Sequence, residues 1–159
     1  MLVNRALSRL RFERDLAPLL AAPEALAHVG RRIVRSEFPS LEVELALPVQ
    51  PPLRLFIDAS DYNYLPVRGW WIGAMGQPLV GGAGQVPVGV GFQRDNNPMG
   101  ERQAWFCFRG WREYHDHEGH QEIPWPAIRS QPRFRLPGLI AQLHSDVLTG
   151  LRDSKIAFQ

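Results

Sequence analysis

Residues 41–47 read Leu-Glu-Val-Glu-Leu-Ala-Leu, and this stretch decides the fold class. Leu41, Val43, Leu45 and Leu47 alternate with Glu42, Glu44 and Ala46. Successive side chains of a strand point to opposite faces, so this period puts leucine and valine on a buried face and glutamate on a wet one. Pro48 and Pro51-Pro52 close the run. Leu53 to Ala59 reads as a second strand, and Val67 to Ile72 as a third, short and aromatic. Gly73 to Gly91 is rich in glycine and reads as loop. Gln103 to Phe108 reads as a further strand with Cys107 near its end. Strands joined by short turns predict an antiparallel meander of about four strands.

Outward from the meander the period changes. Leu2, Val3, Ala6, Leu7 and Leu10 recur at three-to-four spacing, and Leu16, Leu19 and Leu20 extend them, predicting an amphipathic helix over 2–21. Pro18 weakens its last turn. A second helical piece is expected over Pro23 to Arg35, with proline at its first position. At the other end, Leu139, Ile140, Leu143, Val147 and Leu148 form the stripe of a helix over Leu136 to Leu151. Residues 109–135 read as a long irregular segment of charged residues, histidine and proline, and such a segment inside a compact domain is usually functional. Helix, meander, long loop and helix together make an α+β fold in one domain spanning 1–159.

The chain has 159 residues, 45% hydrophobic and 21% charged, enough for one core and too apolar for wholesale disorder. No apolar run reaches bilayer-spanning length, and the N-terminal charges interrupt the apolar core a signal peptide needs. A cytoplasmic location is expected, without a membrane partner. Eighteen basic residues against sixteen acidic ones give a formal charge of +2, too mild for a nucleic-acid partner. The only lysine is Lys155. Besides a compositional bias toward arginine, this suits a protein handling an activated acyl group, because amines attack thioesters.

Cys107 is the only cysteine, so an intramolecular disulfide is impossible. A single cysteine between aromatic residues is most often a small buried hydrophobe. With Phe106 and Phe108 facing the core, however, Cys107 points outward over the long loop as the chain's best nucleophile. Arg109, Arg112 and nearby histidines are expected to lower its pKa. In Tyr114-His115-Asp116-His117-Glu118-Gly119-His120, the three histidines, with Cys107 as a fourth ligand, are compatible with zinc. The competing role is local, with one histidine serving as base or thiolate partner. Gly81-Gly82-Ala83-Gly84 lacks the residues of a phosphate loop, and no Gly-x-Ser-x-Gly elbow occurs.

Several of these pieces fall into one known order. Asp61-Tyr62-Asn63-Tyr64-Leu65-Pro66-Val67 leads into a strand, Ala104-Trp105-Phe106-Cys107-Phe108 carries the cysteine, and Pro124-Trp125-Pro126-Ala127 precedes the helix from Leu136. This resembles the ubiquitin-conjugating enzymes, and more closely their divergent bacterial relatives found with ubiquitin-like proteins. The likeness of Cys107, Gly110, Tyr114 to His120 and Trp125 to the bacterial branch is the most specific part. The resemblance implies a ubiquitin-conjugating (UBC-like) fold whose last long helix crosses over the sheet. It implies that Cys107 accepts a modifier from an activating enzyme as a thioester and passes it to an amine of a target protein, with no cofactor. It further implies that Asn97, or a backbone amide of the loop, stabilises the oxyanion and that His115 or His117 takes the amine proton. The bacterial relatives suggest antiviral defence. The sequence departs from the family at Asn63 and Val67, where prolines are usual. The His-Pro-Asn that precedes the family's cysteine is missing, and Asn97 is the nearest substitute. Two other readings stand beside this one: a zinc protein using His115, His117 and His120, and a catalytically inactive binding module of the same fold.

Overall fold

The computed structural model describes residues 3–120 and 122–159. Its centre is an antiparallel sheet in which β1 (Arg31–Glu37), β2 (Ser40–Leu45), β3 (Leu53–Asp58) and β4 (Arg68–Ile72) follow one another in sequence order. The alternation in β2 does what its period requires. Leu41 faces Ile57, Val43 faces Leu55, and Leu45 faces Leu53, while Leu55 in turn faces Trp71. All seven side chains are buried. The glutamates of β2 lie on the other face, where Glu42 pairs with Arg54 at 2.9 Å.

Two helices complete the core. Helix α1 (Arg5–Ala21) starts where the Asn4 side chain accepts the N–H of Leu7, an N-cap that satisfies a backbone donor with no partner inside the helix. It continues through Pro18 to Ala21. Its buried residues are Ser8, Phe12, Asp15 and Leu16; of the expected stripe Leu16 is buried and Leu19 packs against the core. Leu10 and Leu20 stay exposed, and Leu2 lies outside the described residues. Phe12, which the leucine spacing passes over, is buried in the core. The last long helix runs as expected, Leu136–Arg152, and buries Leu136, Leu139, Ile140, Leu143 and Val147. No helix among the described residues is long and apolar enough to cross a membrane.

The expected helix over 23–35 is corrected. Helix α2 (Pro23–His28) stops early, and residues 31–37 form the edge strand β1. Gly30, at φ +75°, turns the chain, and a Cβ there would press on the His144 ring at 3.2 Å. The adjacent Ile33 and Val34 favour a strand. The strand carrying Cys107 is also corrected. Only β7 (Trp105–Phe106) is regular, and it belongs to a second sheet, not to the meander. That small antiparallel sheet has the order β7-β6-β5-β8, with β5 at Pro87–Gly89, β6 at Phe92–Gln93 and β8 at Ile156–Phe158. Neither β5, inside the glycine-rich stretch, nor β8 announces itself by periodicity. The long segment 109–135 contains two single-turn helices, α3 (Arg112–His115) and α4 (Trp125–Ile128), and a tight turn at Pro132–Phe134. The helix Leu136–Arg152 is therefore α5.

A buried polar tie joins α1, the turn before β4, and α5. The Tyr62 hydroxyl donates to the Asp15 carboxylate at 2.6 Å and accepts the N–H of Leu136 at 3.2 Å. Burial and the adjacent carboxylate push the Tyr62 pKa far upward, so the hydroxyl keeps its proton. Replacing Tyr62 with phenylalanine leaves a buried carboxylate and a buried N–H short of one partner each. The expected cost is about 1–3 kcal/mol, measured by urea unfolding. An unchanged midpoint would mean that water replaces the hydroxyl.

Candidate functional site

Cys107 follows β7 directly, and its backbone N–H donates to the Gly91 carbonyl at 2.7 Å. Phe106 beside it is fully buried against Trp71 and Trp111, which anchors the strand. The sulfur is not sealed. Cys107 is partly exposed, carries no disulfide, and lines an open cavity of about 600 Å³. Val90, Gly91, Trp105, His117 and His120 form much of the rest of its wall, with Asp95 and Asn96 at the side.

The histidines of the wall are held by ring contacts. His117 lies against Trp105 with centroids 6.1 Å apart, and His120 stacks on Tyr114 at 4.2 Å, nearly parallel. The indole N–H of Trp105 donates to the Asp95 carbonyl at 2.8 Å, fixing the ring. The Gly119 N–H donates to His117 Nδ1 at 3.2 Å.

Of the four residues the sequence singles out, the structure brings Cys107 and His117 to one cavity. His115 is not among its lining residues. The His115 Nε2 accepts the Gly110 N–H at 3.3 Å, and the ring packs edge-on to Trp125. Burial holds its pKa below the usual imidazole value. Asn97 is not in the lining either; its neighbour Asn96 is. The Asn97 side chain is nearly buried and serves its own turn, accepting the Met99 N–H at 2.8 Å and donating to the Gln103 carbonyl at 3.4 Å. The zinc alternative loses its geometry, because among the described residues no three His, Cys, Asp or Glu side chains converge as metal ligands. His120 instead spends its ring face on Tyr114.

The expected lowering of the thiol pKa is reversed. Burial, and secondarily the Glu113 carboxylate, push the Cys107 thiol above its ordinary value. The arginines expected to oppose this act elsewhere. Arg112 pairs with Asp61 and Asp116, and Arg109 lies over the Tyr114 ring. Glu113 is the residue that sequence reading misses. It sits on α3, 1% exposed, with Arg68 Nε 4.0 Å away, and its Oε2 has no hydrogen-bond partner among the described residues. Burial raises its pKa to about 7. One acidic residue in a stretch crowded with charge gives no sequence signal that it is buried.

No protein-family model matches the sequence, and no curated protein matches it.

Proposed function

We propose that the chain is a conjugating enzyme for a ubiquitin-like modifier and carries the modifier on Cys107. The observation that carries this reading is a partly exposed cysteine without a disulfide on the wall of an open cavity that two histidines also line. The element order supports it: a helix, a sequential meander, a cysteine beyond it, a long connection and a closing helix. In the first step Sγ attacks the carbonyl of the activated modifier, the donor's thiol leaves, and a thioester forms. In the second, an amine of the target protein attacks that carbonyl. The C–N bond forms, the C–S bond breaks, and the proton lost by nitrogen returns to sulfur. Of the two histidines named for the transfer, His117 is the one that shares the cavity wall with Cys107. The group on Cys107 supplies its own driving force, so no cofactor is needed.

Incubation with an activating enzyme, ATP and the modifier is expected to give an adduct that excess thiol reverses. Cys107→Ala should give none. Because the thiol is pushed up, alkylation of the native protein by iodoacetamide should rise about tenfold per pH unit from pH 7 to pH 9. An adduct that survives in Cys107→Ala refutes the assignment. A native thiol that resists iodoacetamide throughout that range supports the inactive binding module instead.

A further inference from the structure

One side of the Cys107 cavity is a loop, residues 94–104, which joins β6 to β7 and places Asp95 and Asn96 in the wall. The loop is tied within itself. Asn97 accepts the Met99 N–H and donates to the Gln103 carbonyl, and the Gln103 amide donates to Glu101. Glu101 also meets the main sheet, for Arg68 of β4 brings Nη2 to 2.7 Å from Glu101 Oε1. The same guanidinium faces a second carboxylate: its Nε lies 4.0 Å from Oε1 of the buried Glu113. Arg68 Nε, Arg68 Nη2 and Glu113 Oε2 are all buried without a hydrogen-bond partner among the described residues. The contact with Glu101 is therefore close but poorly aligned. Glu113 is faced by Arg68 from β4, by Asp116 just beyond α3 and by the Cys107 thiol just beyond β7, and of these Arg68 alone is a cation.

One cation thus serves two carboxylates, and their demands are unequal. An ion pair with a glutamate 39% exposed gains little, whereas a buried carboxylate short of a partner costs several times as much. Glu113 makes no such demand while it is neutral, below about pH 7. Once it is ionised, a shift of about 1 Å closes the 4.0 Å gap to the length of a charge-assisted hydrogen bond. The new negative charge also repels Glu101.

We propose that Arg68 is a positioning residue for the Cys107 cavity: it holds the 94–104 loop through Glu101, and that hold loosens when Glu113 loses its proton and draws the guanidinium inward. The wall is then firmest below neutral pH and opens above it. The inference concerns access to the cavity and does not depend on what Cys107 carries.

Hydrogen–deuterium exchange of the whole chain tests this at pH 6 and pH 8, either side of the Glu113 transition at about 7. Rates are corrected for the intrinsic pH dependence of exchange and taken relative to β2, which reports global opening. In the wild type, exchange of residues 94–104 should be several-fold faster at pH 8. Glu113→Gln, which never ionises, should keep the slow rate at both pH values, and Glu101→Gln the fast rate at both. Alkylation of Cys107 gives a second readout. The ratio of its rate with a dye-linked iodoacetamide to its rate with iodoacetamide itself cancels the thiolate fraction, and this ratio should rise with pH in the wild type and stay flat in Glu113→Gln. Loop exchange that is equal at the two pH values in the wild type, that rises as much in Glu113→Gln, or that stays slow at pH 6 in Glu101→Gln overturns the proposal.

Discussion

Trp111→Ala should lower the unfolding free energy by about 3–5 kcal/mol, the usual range for emptying a buried aromatic site. Trp111 is 1% exposed and meets Phe106 edge to face at 4.8 Å. Its ring fills the space left by the missing side chain of Gly69; a Cβ on Gly69 would lie 2.5 Å from it. Its backbone bridges to Val67, and its N–H reaches the Phe108 carbonyl. The indole is therefore the packing link between β4 and β7, the strand that Cys107 follows. Urea unfolding measures the loss. A cost under 1 kcal/mol would show that the surrounding rings collapse into the gap.

Glu113→Gln should change how stability depends on pH. The folded-state pKa of about 7 lies above that of an exposed glutamate. The folded protein therefore holds a proton that the unfolded chain has already lost between roughly pH 4.5 and pH 7. The stabilisation from that proton is full below the unfolded pKa and disappears as pH rises through about 7. Glutamine stays neutral throughout. The stability of Glu113→Gln relative to wild type should thus rise by about 2–3 kcal/mol between pH 5 and pH 8. His144 works in the opposite sense: burial lowers its pKa, so its contribution is lost as pH falls. It is common to both proteins and drops out of the difference. A difference that stays flat over this range would mean that Glu113 is ionised throughout. Removing the carboxylate should also speed alkylation of Cys107, whose thiol it holds up.

The sequence is most informative where one physical demand dominates. Leu41, Val43 and Leu45 alternate because one face must be dry, and the strand follows. The leucines after Leu136 repeat at the helical period, and α5 follows. Where two demands compete, the reading fails. Leu10 fits the helical period of α1, yet Phe12 takes the core position. The reading of a helix over 23–35 passes over Gly30, which turns the chain, and the β-branched Ile33 and Val34 beyond it, and β1 results. Strands of two or three residues, such as β6 and β8, are too short to show a period at all. In the candidate site, residue type draws attention to Cys107 and His117, and the structure places both on the wall of one cavity. The pairing of His117 with Trp105, the burial of Glu113 and the turn that occupies Asn97 depend on contacts between distant segments, which no local pattern encodes.

The wall of the Cys107 cavity depends on the smaller sheet, and that sheet joins residues 87–89 to residues 156–158. The meander, by contrast, closes entirely within residues 31–72. During synthesis the meander can assemble as soon as it leaves the ribosome, whereas the cavity must wait until the last strand emerges. The nascent chain thus has its main scaffold in place while the wall around Cys107 is still unfinished.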